Sequence, residues 1–95
     1  NLTPRFDDAT WFENSGSYYS LASINNVVYV AYFYNKINKK TGILKNLENT
    51  AYTVQWFNPI TGTLEVETTV DITVGTYTIG DKPSIRDWVL LVKKK

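Results

Sequence analysis

The stretch from Thr50 to Gly62 constrains the fold of this chain more than any other. Tyr52, Val54 and Trp56 alternate with Thr53, Gln55 and Phe57, which is the period of a half-buried strand. Asn58-Pro59-Ile60-Thr61-Gly62 follows, and its residues have separate tasks. Asn58 caps the turn through its side chain, Pro59 presets φ, and Gly62 takes the left-handed position. A strand that ends in such a turn is answered by a returning one. Thr63 to Thr68 is predicted to return with Leu64 and Val66 inward and Glu65 and Glu67 outward.

The rest of the chain is built the same way, from short β-branched and aromatic runs divided by Asn, Gly, Pro and Asp clusters. Tyr18 to Ser23 reads as a strand, Asn25-Asn26 as a turn, and Val27 to Tyr34 as the next strand. Both faces of Val27 to Tyr34 are apolar, which predicts a central strand covered on each side. Asn35 to Thr41 is a polar loop, Gly42 to Lys45 a short strand, and Asn46 to Asn49 a turn. Val70 to Val74 and Gly75 to Ile79 are Thr-rich strands, Asp81 to Arg86 crosses over, and Asp87 to Lys93 closes the fold. At the start, Thr10-Trp11-Phe12-Glu13 fits a capping box and predicts a helical turn, stopped by Asn14-Ser15-Gly16. Seven to eight short strands with almost no helical period predict an all-β fold, an antiparallel β-sandwich of immunoglobulin-like size. A small barrel is the alternative. We expect residues 1–16 to be a linker leaving another domain and 17–95 to be the sandwich. Its core should include Tyr29, Tyr52, Val54, Trp56, Leu64, Val66, Trp88 and Leu90.

With 95 residues there is room for one domain, and 43% hydrophobic with 15% aromatic residues is enough to build its core. The formal charge of +1 supplies no field that would favour nucleic acid or an anionic membrane. No window approaches a membrane span and no signal peptide opens the chain, so we expect neither partner, a monomer, and an open localisation. The chain has no Cys and no His, which removes disulfides, thiol catalysis, the commonest general base and the commonest metal ligand. No cofactor and no metal are expected. The start at Asn1 and the lack of Met lead us to expect a piece of something longer.

Two carboxylates can cleave a glycoside when they stand about 5 to 9 Å apart across a cleft. Glu65 and Glu67 have that spacing on one strand face, yet an open sheet seldom encloses a substrate, and they read as a solvated face. Asp7 and Asp8 are too isolated for a calcium loop. Asn1-Leu2-Thr3 is a formal glycosylation acceptor of little weight at this position. Exposed aromatic rings can stack on sugars, which makes Trp11, Phe12, Tyr18, Tyr19 and Phe57 candidates. Trp11 and Phe12, with Phe6 beside them, serve equally well as a patch covered by a neighbouring domain.

The residues also carry a resemblance. Leu2-Thr3-Pro4-Arg5-Phe6-Asp7-Asp8, Tyr32-Phe33-Tyr34-Asn35, Thr41-Gly42, Tyr52 through Gly62, Lys82-Pro83 and Asp87-Trp88-Val89-Leu90-Leu91-Val92 occur in that order. The chain thereby resembles the small C-terminal β-sandwich that follows the catalytic (β/α)8 barrel in bacterial glycoside hydrolases of endoglucanase type. It is also similar to a module named for collagen binding in a collagenase. The resemblance implies that the catalytic acids belong to the barrel and that Pro4 to Phe12 is the segment leaving it. It further implies that Trp56 and Trp88 are core aromatics and that this piece is a non-catalytic accessory domain with the barrel as its partner. An autonomous module that binds polysaccharide is the competing expectation, and a protein-binding or collagen-binding module the third.

Overall fold

The computed structural model describes residues 3–4, 11–14, 19–24, 27–34 and 38–95. The predicted Asn25-Asn26 turn, and Ser15 and Gly16 of the Asn14-Ser15-Gly16 stop, lie outside the described residues. Ten strands are present among those described: β1 (Thr3–Pro4), β2 (Phe12–Asn14), β3 (Tyr19–Ile24), β4 (Val28–Phe33), β5 (Gly42–Leu44), β6 (Ala51–Asn58), β7 (Thr63–Leu64), β8 (Thr68–Asp71), β9 (Tyr77–Thr78) and β10 (Trp88–Lys94). They form two antiparallel sheets packed as a sandwich. The larger is 7-stranded in the order β1-β3-β4-β10-β6, with β7 and β8 both on the outer edge of β6, and the smaller runs β2-β5-β9.

The last strand is the central one. β10 lies between β4 and β6, with Leu90 opposite Ala31 on one side and Trp56 on the other. Its inward residues Trp88, Leu90 and Val92 are buried, as are Tyr29, Ala31 and Phe33 of β4 and Tyr52 and Val54 of β6. The small sheet and its loops close this core from above through Phe12, Leu44, Leu47, Ile72 and Ile79. A run of ring contacts crosses the interior: Tyr19 to Phe12 at 4.3 Å, Phe12 to Phe33 at 6.0 Å, Phe33 to Trp56 at 6.0 Å and Trp56 to Trp88 at 6.2 Å. These tilted and edge-on arrangements suit aromatic quadrupoles better than face-to-face stacking.

Three sequence expectations are corrected. The segment expected to form a helical turn contributes a strand instead, since Phe12–Asn14 pairs with Gly42–Leu44. Capping chemistry at Thr10 to Glu13 yields to tertiary pairing because Phe12 gains more from burial than a single isolated turn can supply.

Leu64 and Val66, expected inside, are 54% and 85% exposed. The cause is a β-bulge. Phe57 faces Leu64 and Asn58 faces Thr63, but Val54 faces Thr68 and Tyr52 faces Val70. Gln55 and Trp56 are therefore opposed by the three residues 65–67, one more than regular pairing allows. A one-residue slip moves every side chain beyond it to the opposite face. Leu64 is thus set beside Phe57 on the outside, while Val70 packs on the core. The bulge is tied down at its centre. The Glu65 amide donates to the Trp56 carbonyl at 2.9 Å, and the Gln55 side-chain amide donates to the Glu65 carbonyl at 2.9 Å.

The third correction concerns β4. It is central within its sheet, but among the described residues its second face, turned away from the small sheet, is only partly buried. Val28, Val30 and Tyr32 are half-buried, and Tyr34 just beyond them is 45% exposed.

The predicted turn at Asn58 to Gly62 is present as read. The Asn58 side-chain oxygen accepts from the amides of Ile60 and Thr61, the Gly62 amide donates to the Asn58 carbonyl at 2.8 Å, and Gly62 has φ 75°.

Candidate functional site

The six aromatic residues singled out as contact candidates separate into three groups. Phe6 and Tyr18 lie outside the described residues, as do Asp7 and Asp8. The rings of Phe12 and Tyr19 meet at 4.3 Å, and Trp11 packs on the same core. Phe12 is 3% exposed, and Trp11 and Tyr19 are half-buried against the same core. β2 and β5 hold them there, with the Trp11 carbonyl accepting from the Lys45 amide at 2.9 Å. Phe12 therefore has no free face for a sugar or a neighbouring domain.

Phe57 alone of the described candidates points outward. It follows Trp56, which packs on the core, and alternation sends it to the other side of the sheet. There it joins a cross-strand row made of Ser20, Tyr32, Val89, Phe57 and Leu64. The adjacent row is Ala22, Val30, Leu91 and Gln55. In the third row, Lys93 is flanked by Val28 and Thr53. Eight of the nine residues in the first two rows carry no polar group or only a single hydroxyl, which is unusual for the outer layer of a sandwich. The sequence signal for this surface was the doubly apolar pattern of Val27 to Tyr34.

One end of the face is pinned by polar groups from the crossover before β10. The Tyr32 hydroxyl donates to Asp87 Oδ2 at 3.0 Å. Burial first, and then the hydrogen bond and the charge of Asp87, push the Tyr32 pKa above the ordinary phenol value. Lys82 is buried to 1% exposure, and its ammonium donates to the Arg86 carbonyl at 3.0 Å. Burial lowers the Lys82 pKa, and the negative charge of Asp87 partly opposes that. The Trp88 indole N–H donates to Ser84 Oγ at 3.0 Å, closing the same loop. These bonds fix the entry of β10 into the centre of the sheet.

Glu65 and Glu67 are both exposed and lie in the bulge rather than on a regular strand face, so strand spacing no longer sets their separation. Among the described residues there is no cleft around them and no cluster of three or more metal-ligating side chains. No described helix is long and apolar enough to cross a membrane. In comparisons with known proteins, no family model, no curated protein and no solved structure matches the chain.

Proposed function

We propose that this chain is a non-catalytic accessory domain that acts by packing against a larger neighbour in the same protein. The resemblance given above makes that neighbour the (β/α)8 barrel of a bacterial glycoside hydrolase of endoglucanase type. One observation supports the packing role: among the described residues, the face of the large sheet turned away from the small one carries the part-exposed Val30, Tyr32, Leu91 and Phe57 and the 54%-exposed Leu64, with Val89 buried between them. Contiguous apolar surface of this kind marks contact with another macromolecule. The sugar-binding alternative keeps Phe57 alone of its described candidates, because Phe12 is buried and Tyr19 and Trp11 pack on the core.

The test is removal of the domain from the parent enzyme. The truncated barrel should melt several degrees lower while its active-site chemistry persists, as expected when a stabilising intrachain contact is lost. Turnover of a chromogenic glycoside by the 95-residue chain alone, or saturable binding of cello-, xylo- or arabino-oligosaccharides followed by tryptophan fluorescence, would refute the reading.

A further inference from the structure

The outward row and the β6–β7 hairpin form one continuous feature. Phe57 faces Leu64 across the hairpin, Ile60 at its tip is 64% exposed, and Val66 in the bulge is 85% exposed. Continuing the β6–β8 register without interruption would have turned Leu64 and Val66 inward. The single extra residue at 65–67 places Leu64 outside, beside Phe57, and leaves Glu65 and Glu67 exposed around it. Natural sheets use bulges to re-aim side chains, and a bulge that spends a leucine on solvent needs a reason. Gln55 and the Trp56 carbonyl hold it in place, so it is a built feature.

We propose that this face, centred on Phe57, Leu64, Leu91 and Val30, docks a protein surface that is apolar at its centre and carries Lys or Arg opposite Glu65 and Glu67. This rests on the accessory-domain reading and specifies which face of the domain does the packing.

Three considerations select the occupant. The first is charge. Among the described residues neither Glu65 nor Glu67 forms an ion pair, and Lys94 with Glu48 is the pair that does form. Glu65 and Glu67 at the hairpin end of the face favour basic groups on the partner there, while the exposed Lys93 of the third row favours an acid at the other margin.

The second is size. Strands about 4.8 Å apart with outward residues about 7 Å apart give four strands and three rows a face of roughly 20 by 20 Å, or about 400 Å². A stable dimer of free copies needs about 800 Å² from each partner, so a second copy is poorly held here. A covalently linked domain is present at millimolar effective concentration and needs far less contact.

The third is shape. Sugar stacking needs free aromatic planes, but Tyr34 packs on Tyr32, Tyr32 and Phe57 are part-buried, and the most exposed apolar side chains of the hairpin are Leu64, Val66 and Ile60.

The experiment is amide hydrogen exchange on the intact parent protein and on the 95-residue chain, alongside binding of the chain to the separately produced upstream domain at increasing salt. We expect added protection in β6 and β7 in the parent. In trans, Leu64→Lys and the double change Glu65→Lys/Glu67→Lys should each weaken binding about tenfold or more, as central contacts do. Thr78→Lys, on the exposed part of the small sheet, should leave it unchanged. Salt should weaken wild-type binding and partly restore that of the Glu-to-Lys variant, whose reversed charges meet the same basic rim. If the domains associate but Leu64→Lys and the double change bind like wild type, this face is not the docking face, although the accessory-domain reading stands. If the separate domains do not associate even at millimolar concentration and the parent shows no added protection anywhere in this domain, that reading fails and takes this inference with it. A dimer of the chain dissolved by Leu64→Lys, or oligosaccharide binding lost in that variant, would overturn the inference in favour of those occupants.

Discussion

The backbone of Gly42 passes so close to the ring of Phe12 that a Cβ at this position would run into both the ring Cζ and the Glu13 carbonyl oxygen. β2 and β5 can approach this closely only because residue 42 has no side chain. The Gly42 carbonyl also accepts from the Ile79 amide at 2.9 Å, which links β5 to β9. Gly42→Ala must therefore displace a backbone carbonyl as well as a ring. We predict a loss of about 2 to 3 kcal/mol or more, at the upper end for an overpacked core, read as a lower urea midpoint. A midpoint equal to wild type would mean that β2 does not lie against β5.

Phe12 tests whether the N-terminal segment belongs to the sandwich. It touches Tyr19 of β3 and Phe33 of β4, so it joins the two sheets at one end of the core. Phe12→Ala should cost about 3 to 5 kcal/mol, a large share of the stability of a domain this size. A passive linker residue would cost close to nothing, so thermal melts of the 95-residue chain separate the two roles.

The residues that were legible in the sequence are those whose environment follows from local alternation. Tyr29, Tyr52, Val54, Leu90 and Trp88 are inside, and the Asn58 to Gly62 turn has the chemistry its residues require. What was missed depends on long-range pairing. Nothing local in Leu64-Glu65-Val66-Glu67 reveals that two residues of β6 oppose three, because perfect alternation is compatible with either face. The same holds for Phe12. Its burial comes from Gly42, thirty positions away, and the local Thr-x-x-Glu pattern pointed to a helix. The doubly apolar pattern of β4 is the same for a strand buried on both sides and for one with an outward contact face.

The bulge makes a prediction that regular pairing would reverse. Val66→Ser and Leu64→Ser should each change stability by no more than about 0.5 kcal/mol, as exposed substitutions do. Val54→Ala, whose side chain is 5% exposed, should cost more, about 2 kcal/mol. A Leu64→Ser loss as large as that of Val54→Ala would restore the inward register and remove the bulge.

Stability at alkaline pH is set by two opposing groups. Burial raises the pKa of Tyr32, Tyr52 and Tyr77 above the ordinary 10.0. Tyr52 is fully buried and its hydroxyl donates to the Glu48 carbonyl at 3.0 Å, a bond the phenolate cannot make. A group with a raised folded pKa gives stability that is fully present below pH 10 and is lost as pH rises through the folded value. Lys82 has the opposite sign. Its folded pKa lies below 10.5, so burying the charged ammonium handicaps the fold at lower pH, and the handicap lifts as pH approaches 10.5. Above that point Lys82 is neutral in both states and has nothing more to add, while the three phenols continue to lose. We predict that the urea midpoint falls steeply above about pH 10.5, after a shallower stretch in which the two effects offset each other. Tyr52→Phe should be less stable at neutral pH, through the lost hydrogen bond, and should fall less steeply above pH 10.5. Lys82→Met should remove the offset, so that its decline begins nearer pH 10. Denaturation series from about pH 8 to pH 12 on the three proteins decide this, and a Tyr52→Phe decline as steep as that of wild type would show that Tyr52 ionisation does not drive alkaline unfolding.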